Sequence, residues 1–274
     1  MPDPPWRLSG KTVFITGAAG GIGGAVARLL VARKACLSLI DIRGEALTQV
    51  ASTLGNDVLS QEADSTQPEA LTQAVTATVA RFGRLDVAIV NAGVVAIGSV
   101  EHGDPGAFGR VIQVNLLGSW QTVRAVLPYI IDARGYILFV SSLAGTNQGP
   151  LNAAYNSSKA GLNAFANTLR LEVQGRGVDI GIAHLTYTAT DTGRRAVEHP
   201  LMRGLPGLPR MKPESVEKTA AMLVRGIEHR SRTIGTVGAH LALVSPDVSQ
   251  RLVERLARRH RWAAVIREQA KGDN

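Results

Sequence analysis

The sequence predicts an α/β fold in which a doubly wound parallel sheet is covered by helices on both faces. Short apolar runs alternate with longer segments whose apolar residues recur at helical spacing. The runs are apolar throughout, as is typical of parallel strands that are buried on both faces. The chain also has one cysteine, Cys36, which excludes an internal disulfide framework and a cysteine-rich metal cluster.

The first part of the chain predicts four strands and three helices in alternation. The strands are expected at residues 11–16, at 36–40, from 57–59 onwards to Asp64, and at 85–90. The helices are expected at residues 21–33, 45–54 and 67–82. Pro68 falls in the first turn of the third helix, where proline is tolerated.

The second part continues this alternation. Further strands are expected at residues 136–140, 178–184 and 233–237, and further helices at 105–131, 152–174 and 213–228. Strands that alternate with helices imply right-handed crossovers and a parallel sheet. No linker precedes residue 185 and no repeat is present, so residues 1–274 are predicted to form a single domain.

The composition argues against several classes of protein. No apolar run reaches the length of about 18 residues that a membrane-spanning helix needs. The first residues lack the apolar segment of a signal peptide, and with the single cysteine this predicts a cytoplasmic protein. The net charge is +8, and half of it lies in the last 24 residues. The rest of the chain is mildly basic and poor in aromatic residues, so no nucleic-acid partner is expected.

Two segments depart from the alternation of strands and helices. Residues 186–213 hold four prolines and three glycines, which predicts either a solvated loop or, preferably, a lid with a short helix over a substrate pocket. Residues at about 246–270 form a basic extension with aliphatic residues spaced among arginines, which predicts an amphipathic helix. This helix is expected to pack on its own subunit or on a neighbour. Contact with an anionic membrane surface is the less favoured alternative.

A glycine-rich turn follows the first strand and opens the first helix. It reads Thr-Gly-Ala-Ala-Gly-Gly-Ile-Gly, and its candidate contacts to a cofactor are Gly17, Gly21, Ile22 and Gly23. Glycines let the backbone approach a pyrophosphate, while the helix N-terminus offers free N–H groups to the phosphates. Strand, turn and helix in this order are typical of a dinucleotide site, although an ordinary glycine-rich turn is the alternative.

Asp41 ends the second strand, where a carboxylate can accept hydrogen bonds from the adenosine ribose. The same charge repels a 2′-phosphate. Arg43 could contact a phosphate, but the glycine-rich turn itself holds no basic residue. The sequence therefore predicts NAD as cofactor, with NADP less favoured.

Several motifs together resemble those of the short-chain dehydrogenase/reductase family. They are the glycine spacing after Thr16, then Asp64-Ser65, Asn91-Ala92-Gly93, Asn115, Ser141-Ser142, and Tyr155-Asn156-Ser157-Ser158-Lys159, in the family's order. The resemblance implies a Rossmann-type sheet of seven parallel strands and a homotetramer. It also implies that Asp64 and Ser65 hold the adenine edge and that Asn91, Ala92 and Gly93 pack beside the adenosine.

The same resemblance implies a catalytic tetrad of Asn115, Ser142, Tyr155 and Lys159. Ser142 is preferred to Ser141 because it lies 13 residues before Tyr155, the spacing usual in the family. Tyr155 and Lys159 are four residues apart, so they share one helix face. The ammonium is expected to lower the pKa of the phenol from its usual value of about 10. The phenol could then exchange a proton with a substrate hydroxyl, while Ser142 hydrogen-bonds the same oxygen.

One region departs from the family's pattern. Tyr187-Thr188 stands where family members carry Pro-Gly after the sixth strand, which puts the backbone path and the substrate pocket in doubt. Asp191-Thr192 still resembles the end of this motif, so Thr192 is a candidate contact to the cofactor. Tyr187 is equally a pocket-lining residue or a residue packed under the lid.

The predicted function is that of an NAD(H)-dependent oxidoreductase that interconverts a secondary alcohol and a ketone, with Tyr155 as general acid and base. The alternatives are an NADPH-dependent ketoreductase and a catalytically silent regulatory or binding protein on the same fold. No metal site is expected, because histidines and cysteines lack metal-ligand spacing. The apolar residues of the lid favour a small hydrophobic hydroxy or keto substrate: Leu201, Met202, Leu205, Leu208 and Met211.

The helices predicted at residues 105–131 and 152–174 carry apolar residues on more than one face. Pairing with symmetry mates would bury this excess in an isologous interface, in line with the expected homotetramer. The alternative is a monomer in which the C-terminal extension covers these faces.

Overall fold

A computed structural model describes residues 5–206 and 212–272. Within these ranges, seven strands form one parallel sheet in the order β3-β2-β1-β4-β5-β6-β7, which confirms the predicted fold class. The strands are β1 (Thr12–Thr16), β2 (Cys36–Asp41), β3 (Val58–Glu62), β4 (Val87–Val90), β5 (Tyr136–Ser142), β6 (Asp179–Leu185) and β7 (Thr233–Gly235). The chain reverses its direction of travel across the sheet between β1 and β4. In such sheets the crevice at the carboxyl ends of the strands beside this reversal is the usual ligand site.

Helices cover both faces of the sheet. They are α1 (Gly21–Val31), α2 (Gly44–Ser52), α3 (Pro68–Phe82), α4 (Pro105–Ile112), α5 (Gly118–Asp132), α6 (Ala153–Glu172), α7 (Asp191–Glu198), α8 (Pro200–Arg203), α9 (Val216–Glu228), α10 (Val237–Val244), α11 (Pro246–Arg259) and α12 (Trp262–Gly272). A π-helical segment, Gln113–Leu117, joins α4 to α5, so the predicted long helical region is continuous. No helix in the described ranges combines the length and apolarity needed to cross a bilayer.

The core consists of two layers, one on each face of the sheet. Ile15 of β1 packs with Leu30 of α1 and Leu223 of α9 in the first layer. Its neighbour Phe14 points to the second layer, which contains Val126 of α5 and Leu162 of α6. All six of these side chains are fully or almost fully buried. Burial on both faces explains why the strands are apolar throughout rather than alternating.

The helix predicted from residue 213 begins at Val216, because Glu214 pairs with the chain after β6 and Ser215 caps the helix. The Glu214 N–H donates to Tyr187 O at 2.8 Å, and Glu214 O accepts from Ala189 N at 2.9 Å. Ser215 then caps α9, its hydroxyl accepting from Lys218 N at 3.1 Å. This pairing also defines the backbone path where Tyr187-Thr188 replaces the expected Pro-Gly.

The predicted lid, at residues 186–213, holds two short helices, α7 and α8, in its described part. The candidate lid residues Leu208 and Met211 lie outside the described residues. The C-terminal extension also differs from the prediction, because it forms two helices instead of one. Arg261, with a φ of 52°, separates α11 from α12. A further helix, α10, precedes them and is absent from the sequence prediction.

Trp262 fastens the C-terminal extension to the lid. Its ring is 3% exposed, and its Nε1 donates to Pro206 O at 2.7 Å. It forms a buried cluster with Leu151 and Leu205. The indole is therefore a core residue between the lid and the C-terminal helices and is not available to enter lipid.

Candidate active site

The glycine-rich turn lies against the end of β4, with no room for a side chain at Gly17 or Gly23. Gly17 has a φ of +67°, and a Cβ atom there would lie 2.9 Å from Ala92 Cα. A Cβ atom at Gly23 would lie 2.5 Å from Gly17 O. Gly20 caps α1 without any side-chain hydrogen bond. The N–H groups of the first turn are thus available to an anion at the helix N-terminus.

Asn91 and Thr16 join this turn to β4. Asn91 Nδ2 donates to Thr16 O at 2.9 Å and to Gly17 O at 3.1 Å. In return, Thr16 Oγ1 accepts from Asn91 N at 3.1 Å and from Ala92 N at 3.2 Å. The predicted residues Asn91 and Ala92 therefore set the shape of the turn. Thr16, which the sequence analysis did not assign a role, completes the link.

Asp41 is 5% exposed and lies beside the turn. Its Oδ2 accepts from Ala19 N at 2.9 Å, and its Oδ1 accepts from Arg43 N at 3.0 Å. The Arg43 guanidinium also donates to both oxygens, at 3.0 and 3.1 Å. This hydrogen bond raises the pKa of Arg43. The carboxylate is thus held beside the turn, with Arg43 as its partner at the surface, and its contact with an adenosine ribose stays a prediction.

Asp64 and Ser65 follow β3 at the same edge of the sheet. Asp64 Oδ1 accepts from Thr66 N at 2.8 Å, which fixes the turn after the strand. Ser65 is buried against the start of α5, where a Cβ atom at Gly118 would lie 3.1 Å from Ser65 Oγ. Both residues thus lie after the carboxyl end of β3, and their contact with adenine stays a prediction.

Lys159 and Tyr155 are presented by one face of α6. Lys159 Nζ donates to Val140 O at 2.9 Å and lies 5.7 Å from the centre of the Tyr155 ring. Burial lowers the pKa of Lys159 to about 8, because the ammonium is removed from water. The side chain therefore lies at the end of β5, beneath the phenol.

Ser142 also borders the phenol. Its Oγ accepts from Ala144 N at 3.1 Å and donates to Leu185 O at 3.2 Å. Ser141 instead donates to Asn163 Oδ1 at 2.6 Å and is 3% exposed. Of the two serines, Ser142 is the one that lies beside Tyr155, in line with the sequence-based preference.

The pKa of Tyr155 is not lowered in the protein alone, because burial of the phenol outweighs the effect of its neighbours. Burial raises the pKa of Tyr155 above its usual value, and the neighbouring Ser142 hydroxyl offsets this only in part. Desolvation disfavours the phenolate, while the ammonium is directed towards Val140 O. The protein alone thus keeps Tyr155 protonated at neutral pH.

Asn115 lies in the π-helical segment and is fully buried. Its Oδ1 accepts from Val94 N at 2.8 Å, and its Nδ2 donates to Val94 O at 2.9 Å. Nδ2 also donates to Ser158 Oγ at 3.0 Å, and Ser158 Oγ in turn donates to Tyr155 O at 2.8 Å. Asn115 thus ties the loop after β4 to the first turns of α6. Single π turns inside α-helices are frequent at functional sites.

The base of the lid contacts the glycine-rich turn through Thr190. A Cβ atom at Gly21 would lie 3.2 Å from Thr190 Cγ2, and Thr190 Oγ1 accepts from Gly193 N at 3.1 Å as the cap of α7. Thr190 was not predicted from the sequence, whereas the predicted Thr192 is exposed in the first turn of α7. The Tyr187 ring lies against Gly193, which favours packing under the lid.

No group of three or more histidine, cysteine or acidic side chains in the described ranges is placed to hold a metal ion. The polar side chains among the candidate residues carry hydroxyls, amides, one ammonium and the carboxylates of Asp41 and Asp64.

Comparison with known proteins adds a family to this geometry. The family model described as short chain dehydrogenase matches residues 11–200. An 11-beta-hydroxysteroid dehydrogenase 1A of Arabidopsis thaliana is 38% identical over 174 residues, covering 62% of this chain and 50% of the relative. A trans-4-hydroxycyclohexanecarboxylate dehydrogenase of Sinomonas cyclohexanicum is 33% identical over 187 residues, covering 65% of this chain and 72% of the relative.

A solved structure supports the same relationship. The crystal structure of a short chain dehydrogenase/reductase from Burkholderia phymatum in complex with NAD has a TM-score of 0.78 and 25% identity, covering 87% of this chain and 93% of that chain. The chain spans about half the length of the plant hydroxysteroid dehydrogenases it matches. The matched region contains the glycine-rich turn and the helix with Tyr155 and Lys159, and on this evidence the chain belongs to the short-chain dehydrogenase family.

Proposed function

We propose that this protein is an NAD(H)-dependent oxidoreductase that interconverts a secondary alcohol and a ketone. The observation that carries the proposal is the placement of Tyr155 between Ser142 and Lys159, at the carboxyl end of β5. This is the edge of the sheet at which the glycine-rich turn also lies. Proton exchange at a phenol and cofactor binding at a helix N-terminus are thus supplied side by side.

The residues present fit a dinucleotide. The close approach of Gly17 to Ala92 and the uncapped first turn of α1 leave a concave backbone surface suited to a pyrophosphate. Asp41 would hold the adenosine ribose, and Asp64 with Ser65 would border the adenine. Tyr155 and Lys159 would contact the nicotinamide half, whose ring exchanges hydride with the substrate carbon when bound. Relatives named as dehydrogenases and NAD-bound structures of the family support an NAD site in this chain.

Residues of the chain itself would transfer the proton of the substrate hydroxyl. In oxidation, Tyr155 Oη accepts the substrate hydroxyl proton, and in reduction it returns a proton to the carbonyl oxygen. Ser142 Oγ would hydrogen-bond the same oxygen while charge develops on it. The raised pKa of Tyr155 suits the role of acid in reduction. Use of Tyr155 as a base requires added positive charge near the phenol, which the nicotinamide ring of NAD⁺ supplies.

The choice of NAD over NADP rests on Asp41. The carboxylate would accept hydrogen bonds from ribose hydroxyls, and its charge would oppose a 2′-phosphate. Arg43 is the observation in favour of the alternative, an NADPH-dependent ketoreductase, because its side chain is 58% exposed beside the turn. Two hydrogen bonds from this guanidinium to Asp41 favour its use in holding the carboxylate. Titration with each cofactor separates the two proposals.

The substrate class follows from the described part of the lid. Leu201, Met202 and Leu205 pack with Ile97 and the C-terminal helices in an apolar cluster, and we propose that this cluster borders the substrate pocket. A hydrophobic hydroxy or keto compound suits such a surface. The relatives named for hydroxysteroid and hydroxycyclohexanecarboxylate both point to a hydroxyl on a ring.

Assembly and location complete the proposal. Leu117, Trp120 and Leu171 remain exposed on the outer sides of the π-helical segment, α5 and α6, while the C-terminal helices pack on the lid instead. A homotetramer built through α5 and α6 would cover these residues.

The single cysteine supports a cytoplasmic location. One domain of 274 residues is proposed, since α10, α11 and α12 follow β7 directly.

The test is a panel of cyclic secondary alcohols of increasing apolar surface, assayed for NADH formation by absorbance. The proposal expects turnover with NAD⁺ that is lost in Tyr155→Phe and retained in the matched control Tyr129→Phe. Calorimetric titration with NAD⁺ distinguishes the catalytically silent alternative, which would bind the cofactor without turnover across the whole panel.

A further inference from the structure

The outer side of α10 and α11 carries a run of exposed aliphatic residues. Val237, Leu241 and Val244 of α10 are 79%, 68% and 84% exposed, and Val248 and Leu252 of α11 are 67% and 59% exposed. Single exposed aliphatic side chains are ordinary, but five of them on two consecutive helices are the observation from which we infer an interaction surface. We call these five residues, together with Arg255 and Arg259, the C-terminal face.

The C-terminal face is not needed for packing within the subunit. The other side of α11 makes the internal contacts, through Val253, Leu256 and Ala257, which pack in the cluster of Trp262 and Leu205. Helix α11 is thus apolar on two sides, of which one is covered by its own subunit. A helix that is apolar on a second side needs a second partner.

The charges on this face have one sign. With 100° per residue, Val248, Leu252, Arg255 and Arg259 lie within about 40° of a common direction on α11. Helix α10 contains no acidic or basic residue apart from His240. The face therefore passes from an aliphatic end on α10 to a cationic end on α11. Arg255 and Arg259 are both exposed.

We propose that the C-terminal face lies on an anionic lipid bilayer. The aliphatic side chains would enter the boundary between head groups and acyl chains, and the arginines would pair with lipid phosphates. Each arginine near an anionic surface strengthens binding on the order of fivefold.

A bilayer fits this face better than a second copy of the chain does. A two-fold contact uses the same patch on both subunits. The partner's patch would carry the same arginines, Arg255 and Arg259, so it would offer them no opposite charge. Lipid phosphates instead supply the opposite charge along the whole cationic end. The inference is independent of the catalytic proposal, because none of these residues belongs to the candidate active site.

The experiment is flotation of the full-length protein with vesicles of phosphatidylcholine alone or mixed with phosphatidylglycerol. The expected result is binding to the anionic vesicles, on the order of tenfold weaker or more with neutral vesicles, and weakened by high salt. Absence of binding to the anionic vesicles, or equal binding to both kinds, would overturn the proposal.

Two double variants and a matched control locate the contact. Leu241→Gln with Val244→Gln removes aliphatic surface, and Arg255→Gln with Arg259→Gln removes charge; each is expected to weaken binding at least tenfold. Val100→Gln, at a residue 87% exposed elsewhere, should bind like the unmodified protein. Binding that survives both double variants rejects the C-terminal face as the lipid contact. An oligomer that light scattering shows to dissociate in the aliphatic variant, without vesicle binding, assigns the face to a second copy of the chain.

Discussion

The side chain of Asn115 is hydrogen-bonded to both backbone groups of Val94, accepting from its N–H at 2.8 Å and donating to its C=O at 2.9 Å. The amide pairs with the loop after β4 as a neighbouring strand would. A third hydrogen bond, to Ser158, extends this link to α6 and so to Tyr155. Asn115 therefore acts on the candidate site through the positions of other residues.

Asn115→Ala is expected to lower the stability of the protein by roughly 2–5 kcal/mol. It leaves two partly buried backbone groups of Val94 without this partner, and a fully buried unpaired group costs about 1–3 kcal/mol. Urea unfolding measures the change, and Asn167→Ala, at an exposed position on α6, serves as control with a change within about 0.5 kcal/mol. Equal stability of Asn115→Ala and the unmodified protein would show that the hydrogen bonds to Val94 do not contribute to the free energy of unfolding.

The sequence predicts best what depends on local pattern. The glycine-rich turn, Asp41 and the pairing of Tyr155 with Lys159 follow from short-range spacing, and the structure places them at one edge of the sheet. The contacts of Asn115 lie 21 and 43 residues away along the chain, and the link of Trp262 to Pro206 spans 56. Such contacts, and the burial that raises the pKa of Tyr155, arise from tertiary packing, which periodicity does not encode.

Tyr155→Phe is expected to lower kcat by on the order of a hundredfold or more while the affinity for NAD⁺ stays within a few fold. The substitution keeps the ring beside Lys159 and removes only the hydroxyl that exchanges the proton. Steady-state assays and calorimetric titration with NAD⁺ measure the two quantities separately. Near-normal turnover would reject Tyr155 as the acid and base, and a parallel loss of NAD⁺ binding would indicate a binding role instead.

The raised pKa of Tyr155 has a direct spectroscopic consequence. Tyrosinate absorbance is expected to titrate above the usual value of about 10 for this residue in the free protein. The difference between the unmodified protein and Tyr155→Phe isolates its contribution. Addition of NAD⁺ should shift this midpoint downwards, because a cation near the phenol stabilises the phenolate. A midpoint below 10 before addition would contradict the dominance of burial.

Asp41→Ala is expected to shift the ratio of affinities for NADP⁺ and NAD⁺ towards NADP⁺ by on the order of tenfold. The substitution removes the acceptor for the ribose, removes the repulsive charge, and frees the Arg43 guanidinium to meet a 2′-phosphate. Calorimetric titration with both cofactors gives the ratio. The double variant Asp41→Ala with Arg43→Ala should lose most of the gain for NADP⁺. An unchanged ratio in the single variant would mean that Asp41 does not face the ribose.

Light scattering should detect an oligomer both in the full-length protein and in a chain that ends after Ser245. The C-terminal helices cover the lid cluster of Leu151 and Leu205, so they do not replace a partner on the exposed sides of α5 and α6. Trp120→Ala should weaken the assembly, because its ring and the Arg124 guanidinium stacked on it at 4.9 Å lie on that surface. A full-length monomer that associates only when truncated would overturn the expected tetramer.

Lys159→Met is expected to stabilise the protein at neutral pH by about 2 kcal/mol. Burial lowers the pKa of Lys159 from 10.5 to about 8, so folding disfavours the charged form by on the order of 3 kcal/mol. Loss of the hydrogen bond to Val140 O offsets roughly 1 kcal/mol of this gain.

Because the pKa of Lys159 is lower in the folded state, the stability gained by Lys159→Met depends on pH. Above pH 10.5 the lysine is neutral in the folded and unfolded states and does not affect the free energy of unfolding. As the pH falls, the unfolded chain takes up the proton first, so the free-energy cost of burying the lysine grows. This cost is reached in full at about pH 8 and is constant below it. The stability advantage of Lys159→Met should therefore be constant up to about pH 8 and shrink between pH 8 and 10.5. Lys218→Met, at a lysine 73% exposed, is the control and should show no such change over that range. An advantage that is absent at neutral pH, or that grows as the pH rises, would mean that Lys159 is not held in a desolvated position.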